Sequence, residues 1–176
     1  MIPSLQRVTT EYVETEDRIR LNGLAGEETI CIWLSKRLTD RLVATITQLL
    51  EQQHVAQEKA VKNDLLSFSQ HAAQQANQRS AEEPVAVSAQ AEVEFSWLAV
   101  TIQITPDPHS LQMTFVGKSD EQKAELKMGV GHLRQWMNIL FLAYKKGEWA
   151  VEAWPEWVKD NFVSQAAPQT VDKQMH

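Results

Sequence analysis

The stretch GHLRQWMNILFLAYKK, residues 131–146, decides how this chain must pack. Its helical spacing puts a broad apolar face on one side, made of Leu133, Trp136, Met137, Leu140, Phe141 and Tyr144. Ile139 and Leu142 fall on the flank of the opposite side, and Gly147 ends the helix. Because a helix that is apolar around most of its circumference is buried on more than one side, we expect one face on a sheet and a further cover on the other.

Two covers for the second flank are compatible with the sequence. One is the segment that follows, EWAVEAWPEWVKDNF, residues 148–162, which contains Trp149, Trp154 and Trp157. The other is a second copy of the protein, since tryptophan is enriched at interface hot spots. The first is favoured, because soluble monomers seldom leave large aromatic patches bare.

Upstream, residues 8–34 have the alternation of strands. DRIRL and ETICIWL predict a hairpin, with turns at Asn22-Gly23 and Ala25-Gly26, and VTTEYV indicates a strand before it. Ser35 is a plausible N-cap for a helix in which Leu38, Leu42, Ile46, Leu49 and Leu50 form one apolar stripe. A helical insert is predicted over 53–83, either folded back or projecting.

A strictly alternating segment follows, from Val85 to Trp97, and its phase shifts by one residue from Leu98 to Ile104. Such a shift predicts a β-bulge. LQMTFVG and AELKM are further strands, and the glycines 129 and 131 form the turn into the helix of the opening stretch.

The two halves of the chain have similar patterns. A shift of the first half by 94 residues, read from the numbering, aligns Ile19 with Met113, Leu21 with Phe115 and Gly23 with Gly117. The predicted repeat units are 8–52 and 98–147. The predicted fold is therefore an α+β domain over 1–162, with an antiparallel sheet or sandwich built from two strand-strand-helix units, followed by a flexible tail at 163–176.

Composition excludes several functional classes. The chain has 43% apolar and 23% charged residues, as globular domains do, and a net charge of −6 with no clustered Lys and Arg, which disfavours nucleic-acid binding. No uncharged apolar run approaches the roughly 20 residues that a membrane span needs. We expect no membrane partner and, because MIPSLQRVTTEY does not resemble a signal peptide, a cytoplasmic location.

No motif predicts a catalytic residue, a cofactor or a metal site. Cys31 lies in an apolar run without a predicted base, and Asp107 and His109 lie in a Pro-flanked turn. Gly129 and Gly131 lack the remaining residues of a phosphate-binding fingerprint. The paired carboxylates all lie in polar, turn-like contexts.

Residues 97–141, WLAVTIQITPDPHSLQMTFVGKSDEQKAELKMGVGHLRQWMNILF, resemble a known head domain. This domain is shared by the scaffold protein of eukaryotic DNA-end ligation and the centriolar cartwheel protein. The resemblance covers about residues 8–146 by element order and implies a dimeric, non-catalytic scaffold. In those relatives the last helix extends into a long coiled coil, whereas Gly147, Trp149 and Pro155 stop it in this chain.

The sequence thus predicts a non-enzymatic protein-interaction or scaffold module that self-associates as a homodimer, with a further protein partner of unknown identity. The interface candidates are Trp136, Ile139, Leu142, Trp154 and Trp157. The alternative is a small-ligand-binding or enzymatic domain with a pocket between sheet and helices, which requires convergent polar groups and a perturbed acid or histidine.

Overall fold

The computed structural model describes residues 1–52, 66–68, 70–72 and 95–160. The strands are β1 (Ser4–Leu5), β2 (Arg7–Val13), β3 (Arg18–Ala25), β4 (Glu28–Leu34), β5 (Phe95–Leu98), β6 (Thr101–Pro106), β7 (Ser110–Val116) and β8 (Lys123–Gly129). The long helices are α1 (Lys36–Gln52) and α2 (Val130–Lys146). Shorter helical stretches occupy 66–68, 70–72 and 156–160. The predicted α+β class is confirmed.

Sheet I has the strand order β2-β3-β4-β5. The first three strands are antiparallel neighbours, and β5 pairs with β4 in parallel. Asp17 in the β2–β3 turn and Gly26 in the β3–β4 turn have φ angles of 49° and 65°, a left-handed backbone that Gly adopts freely and Asp tolerates. Because β2, β3 and β4 are antiparallel neighbours, the predicted hairpin and the strand before it are confirmed.

Asn22 and Gly23 do not form the predicted turn. Both lie inside β3, and Asn22 is fully buried. Gly23 instead allows a close approach between the two sheets, since a Cβ atom there would lie only 2.6 Å from Leu5 Cδ2. Packing against β1 therefore explains a glycine that local sequence alone assigns to a turn.

Sheet II has the strand order β1-β8-β7-β6, with β1 parallel to β8 and the other pairs antiparallel. Each sheet thus contains three antiparallel strands from one half of the chain and one parallel strand from the other half. Both sheets are mixed: the predicted antiparallel strands form three of the four strands in each, and the parallel fourth strand was not predicted. Side-chain alternation has the same period in both kinds of pairing, so it could not reveal the parallel neighbours.

The shift in alternation after Trp97 coincides with a change of sheet rather than with a bulge inside one strand. β5 ends at Leu98 in sheet I, and β6 begins at Thr101 in sheet II, with Ala99 and Val100 between them. Trp97 and Ala99 are both buried. The two apolar phases therefore belong to two strands that contribute to one core from different sheets.

The two halves have the same element order, β2-β3-β4-α1 and β6-β7-β8-α2. An origin by duplication stays a prediction. Both sheets and both helices contribute to one core, whose most buried members include Ile19, Leu21, Ile32, Ile46, Met113, Phe115, Met137 and Leu140. The Ser35 hydroxyl accepts a hydrogen bond from the Leu38 backbone N–H at 3.3 Å, as an N-cap does.

Part of the predicted helical insert lies against α2. Leu66 and Gln70 are fully buried, and the Gln70 side-chain amide donates a hydrogen bond to the Arg134 carbonyl oxygen at 2.5 Å. These residues therefore fold back onto the domain. The remaining residues of 53–83 that the structure does not describe are 53–65, 69 and 73–83. The alternating residues 85–93 and the predicted flexible end at 163–176 also lie outside the described residues.

Candidate interaction surface

Helix α2 is the element around which the candidate site is built. It follows β8 directly at Gly129 and ends at Gly147. The Gly147 N–H donates to the Ala143 carbonyl oxygen at 3.0 Å, and the Glu148 N–H donates to that of Lys145 at 3.2 Å. Lys145 and Lys146 lie in its last turn, where positive charge interacts favourably with the helix dipole. Its buried residues are Leu133, Arg134, Trp136, Met137, Asn138, Leu140, Phe141, Ala143 and Tyr144.

The segment after α2, residues 148–160, covers the C-terminal half of the helix, and we call this segment the tail. The ring of Tyr144 has edge contacts with Trp149 and Trp154 at centroid distances of 5.1 and 5.2 Å. Phe141 contacts Trp154 in the same way at 5.1 Å. Edge-to-face pairs of this kind add to the gain from burying apolar area. The tail therefore covers Phe141 and Tyr144, which belong to the first apolar face, whereas the predicted second flank at Ile139 and Leu142 stays exposed.

Asp17 anchors the start of that tail. Its Oδ1 atom accepts hydrogen bonds from the Tyr12 hydroxyl at 2.7 Å and from Trp149 Nε1 at 2.8 Å. These two hydrogen bonds, that of Tyr12 first, lower the pKa of Asp17. The same contact, with burial and the negative charge, raises the pKa of Tyr12 to about 12. The β2–β3 turn therefore holds the tail at Trp149.

A second anchor joins α2 to α1. The Tyr144 hydroxyl donates to Asp40 Oδ1 at 2.6 Å, and Lys36 Nζ lies 2.7 Å from Asp40 Oδ2. Lys36 also lies 5.9 Å from the centre of the Tyr144 ring. Burial, followed by the contact with Asp40, raises the pKa of Tyr144 far above its usual range. These contacts fix the C-terminal end of α2 against the first turn of α1.

Two polar residues of α2 are buried, which its sequence did not reveal. The Arg134 guanidinium lies 5.4 Å from the Trp157 ring centre, and its Nη1 has no hydrogen-bond partner among the described residues. Burial lowers the pKa of Arg134. Asn138, one turn further on, has no partner for either side-chain amide atom within the same ranges. Both residues lie on the side of the helix that faces the tail. The helical period of α2 marks polar positions as exposed, so it could not predict that the tail buries them.

The five predicted interface residues separate into two groups. Trp136, Trp154 and Trp157 are only 3, 3 and 1% exposed, and Trp136 Nε1 donates to Thr10 Oγ1 at 2.9 Å. These three side chains therefore face the interior of the chain. Ile139 and Leu142 are 42 and 54% exposed. Their role in an interface stays a prediction.

Ile139 and Leu142 belong to a continuous row on the outer face of α2, which we call the outer stripe. Its members are His132, Gln135, Ile139, Leu142 and Lys146, spaced by three and four residues. Gln135 is half-buried and the others are exposed. Two apolar side chains thus lie at the centre of the stripe, with polar side chains at both ends.

A groove of about 250 Å³ borders the stripe at Ile139. Its walls come from the start of the chain, from β8 and from α2, and include Gln6, Val8, Leu126, Met128, His132 and Trp136. Most of these side chains are apolar or present apolar surface. The stripe and the groove together form the candidate interaction surface.

Residues with possible chemistry lie elsewhere and do not converge. Cys31 is buried and free, and burial raises the pKa of its thiol. Asp107 Oδ1 accepts a weak bond of 3.4 Å from the His109 backbone N–H, within the predicted turn. No group of three or more His, Cys, Asp or Glu able to hold a metal ion occurs among the described residues.

An opening of about 320 Å³ lies between the ends of β4, β5 and β8. Glu28, Phe95, Trp97 and Lys123 are among its lining residues. Within the described ranges, the residues with a shifted pKa are Tyr12, Asp17, Cys31, Arg134 and Tyr144. None of them lines this opening.

Comparisons with protein-family models, with curated proteins and with solved structures find no match for this chain. The resemblance to the scaffold head domain therefore stays a prediction. No helix within the described ranges is long and apolar enough to cross a membrane.

Proposed function

We propose that this protein is a non-enzymatic interaction module that forms a homodimer through the outer stripe of α2. The observation that carries the proposal is the exposure of Ile139 and Leu142, at 42 and 54%, on a helix that is otherwise largely enclosed. The tail and the sheets account for the remaining apolar side chains of α2. Contact with a second copy would remove these two from water.

The charges of α2 favour an antiparallel arrangement of the two copies. With a two-fold axis midway between Ile139 and Leu142, Ile139 of one copy lies opposite Leu142 of the other. The same axis places Gln135 opposite Lys146 of the second copy. In a parallel arrangement Lys145 and Lys146 would lie beside their own equivalents. Like charges in direct contact across an interface are costly, so the antiparallel arrangement is preferred.

The groove beside Ile139 supports the same contact. Because its walls include Val8, Leu126, Met128 and Trp136, it offers apolar surface next to the stripe. A side chain of the second copy that projects past Ile139 would meet this surface. The three-and-four spacing of the stripe is the spacing by which paired helices interlock.

The test is to place like charges in the stripe. The double variant Ile139→Asp/Leu142→Asp should stay folded, because both positions are exposed, and should associate more weakly at every concentration. Light scattering coupled to size exclusion over a concentration series measures this, and circular dichroism checks the fold. The matched control is Ala44→Asp, on the exposed face of α1. An unchanged mass for the double variant would refute the stripe as the interface.

A further inference from the structure

Strand β6 forms an open edge of sheet II. It pairs with β7 on one side, and no strand among the described residues pairs with its other side. Natural proteins usually protect such edges with charged side chains, bulges or interior prolines. The segment 101–105 of β6 has none of these, since it reads Thr-Ile-Gln-Ile-Thr.

This segment is also a palindrome. An antiparallel copy centred on Gln103 would set Thr101 opposite Thr105, Ile102 opposite Ile104 and Gln103 opposite itself. We propose that β6 pairs with β6 of a second copy about a two-fold axis at Gln103, so that sheet II continues through both copies. In this register Gln103 can form either a hydrogen-bonded or a non-hydrogen-bonded pair with its equivalent. Both kinds of pair occur in regular antiparallel sheets, so the backbone groups of the two strands can bond in either case.

The side chains on both faces of β6 match this register. Ile102 and Ile104 are half-buried on the side of α1, where they line a groove of about 140 Å³ with Leu38, Leu42 and the 53% exposed Val100. A second copy would bring its own isoleucines beside this groove. On the other face Thr101, Gln103 and Thr105 are exposed, and threonine pairs are favourable across strands.

Both ends of the contact have a physical limit. Pro106 has no backbone N–H and cannot continue the ladder, so the paired stretch is confined to residues 101–105. No charged side chain lies in that stretch, so the two paired strands themselves bring no like charges together. The charged residue beside them is Arg41 of α1, which lines the same groove. The uncharged edge would otherwise be open to indiscriminate strand pairing.

The β6 contact is separate from the outer stripe of α2. Strand β8 lines the groove beside Ile139 with Leu126 and Met128, and it lies two interstrand spacings, about 10 Å, from β6 in sheet II. The two contacts therefore use different residues. If the proposed function also holds, the homodimer formed through the outer stripe becomes the repeating unit of an extended row, because each copy keeps a second two-fold contact.

Disulfide trapping tests the register directly, in the Ile139→Asp/Leu142→Asp background that removes the α2 contact. Residues directly opposite have Cβ atoms about 4.5–5.5 Å apart, so Gln103→Cys should form a covalent dimer under mild oxidation. Thr101→Cys is the matched control, because its two copies would lie about 13 Å apart, beyond disulfide reach. Native Cys31 is buried, so the parent protein should stay uncrosslinked.

Selective trapping at position 103 supports the proposal. Equal trapping at 101 and 103, or none at either, overturns it. These outcomes are independent of the proposed function, which is judged by whether the α2 double variant alone lowers the mass.

A charge swap gives a second measurement that requires no oxidation. Thr101→Lys/Thr105→Lys should abolish the β6 contact, because each lysine would face another. Thr101→Lys/Thr105→Glu should restore it, because each lysine would face a glutamate. Light scattering in the same background distinguishes the two. Equal masses for both double variants would contradict this register.

Discussion

Helices α1 and α2 are both 17 residues long and follow the third antiparallel strand of their halves, yet their surroundings differ. α1 buries a single stripe made of Thr39, Leu42, Val43, Ile46 and Leu50, and none of its large apolar side chains is exposed. α2 buries nine residues, two of them polar, and still exposes Ile139 and Leu142.

The difference on α2 arises from the segment that follows it. That segment contains three buried tryptophans, Trp149, Trp154 and Trp157, which enclose one flank of α2. On α1 the residues away from the buried stripe, such as Arg37, Arg41 and Gln48, are exposed to solvent. The fold therefore explains every buried apolar residue of α2 but not its outer stripe. This contrast is what distinguishes packing from a candidate interface on the same helix.

The largest effect is expected from removing the tail cover. Trp154→Ala should lower the free energy of unfolding by about 3–5 kcal/mol, because it leaves a cavity against Phe141 and Tyr144. Urea denaturation followed by circular dichroism measures the change. Leu142→Ala, on the exposed side of the same helix, should change it by less than about 0.5 kcal/mol in dilute solution. Similar costs for both variants would remove the distinction between the two flanks.

A smaller effect is expected where the two helices are joined. Tyr144→Phe removes the hydroxyl that donates to Asp40 and should cost about 1–2 kcal/mol, because Asp40 keeps Lys36 as a partner. The control is Thr45→Ala, which removes a hydroxyl that bonds only within the exposed side of α1. Thermal and urea unfolding should give Tyr144→Phe a clearly lower free energy of unfolding than this control. Equal free energies for the two variants would show that the helices are not coupled through Asp40.

The smallest effect concerns acid and the anchor of the tail. Asp17 has a pKa below its ordinary value of 3.8 in the folded chain, so its contribution to stability is fully present above that value. The contribution is lost as the pH falls through the folded pKa, because protonation weakens the acceptor for Tyr12 and Trp149. Asp17→Asn should therefore have a lower free energy of unfolding than the parent at neutral pH. The difference in free energy between the two proteins should become smaller in acid.

Unfolding curves at several pH values would check this linkage. The matched control is Asp120→Asn, at a fully exposed carboxylate that forms only a surface pair with Lys123. A gap for Asp17→Asn that stays constant through the acid range would contradict the assigned role.

The sequence predicted α1, α2 and most of the described strands correctly, because each depends on the local period of its own side chains. A second cover for the flank of α2 that carries Ile139 and Leu142 stays a prediction. The sequence did not predict the burial of Arg134 and Asn138, since polar residues at helical spacing normally indicate an exposed face. It assigned Asn22-Gly23 to a turn because the contact between Leu5 and Gly23 joins residues far apart in the chain.

The sequence by itself therefore determined the elements: two antiparallel strand groups, each ending in a helix, and a tryptophan-rich segment able to cover the second helix. Side-chain periodicity is a local property, so it carries that information directly. The tertiary structure alone decided which strands pair in parallel, which of the predicted interface residues are enclosed, and that no strand of the described residues pairs with the outer side of β6. Those features depend on contacts between the two halves of the chain, and no local pattern encodes them.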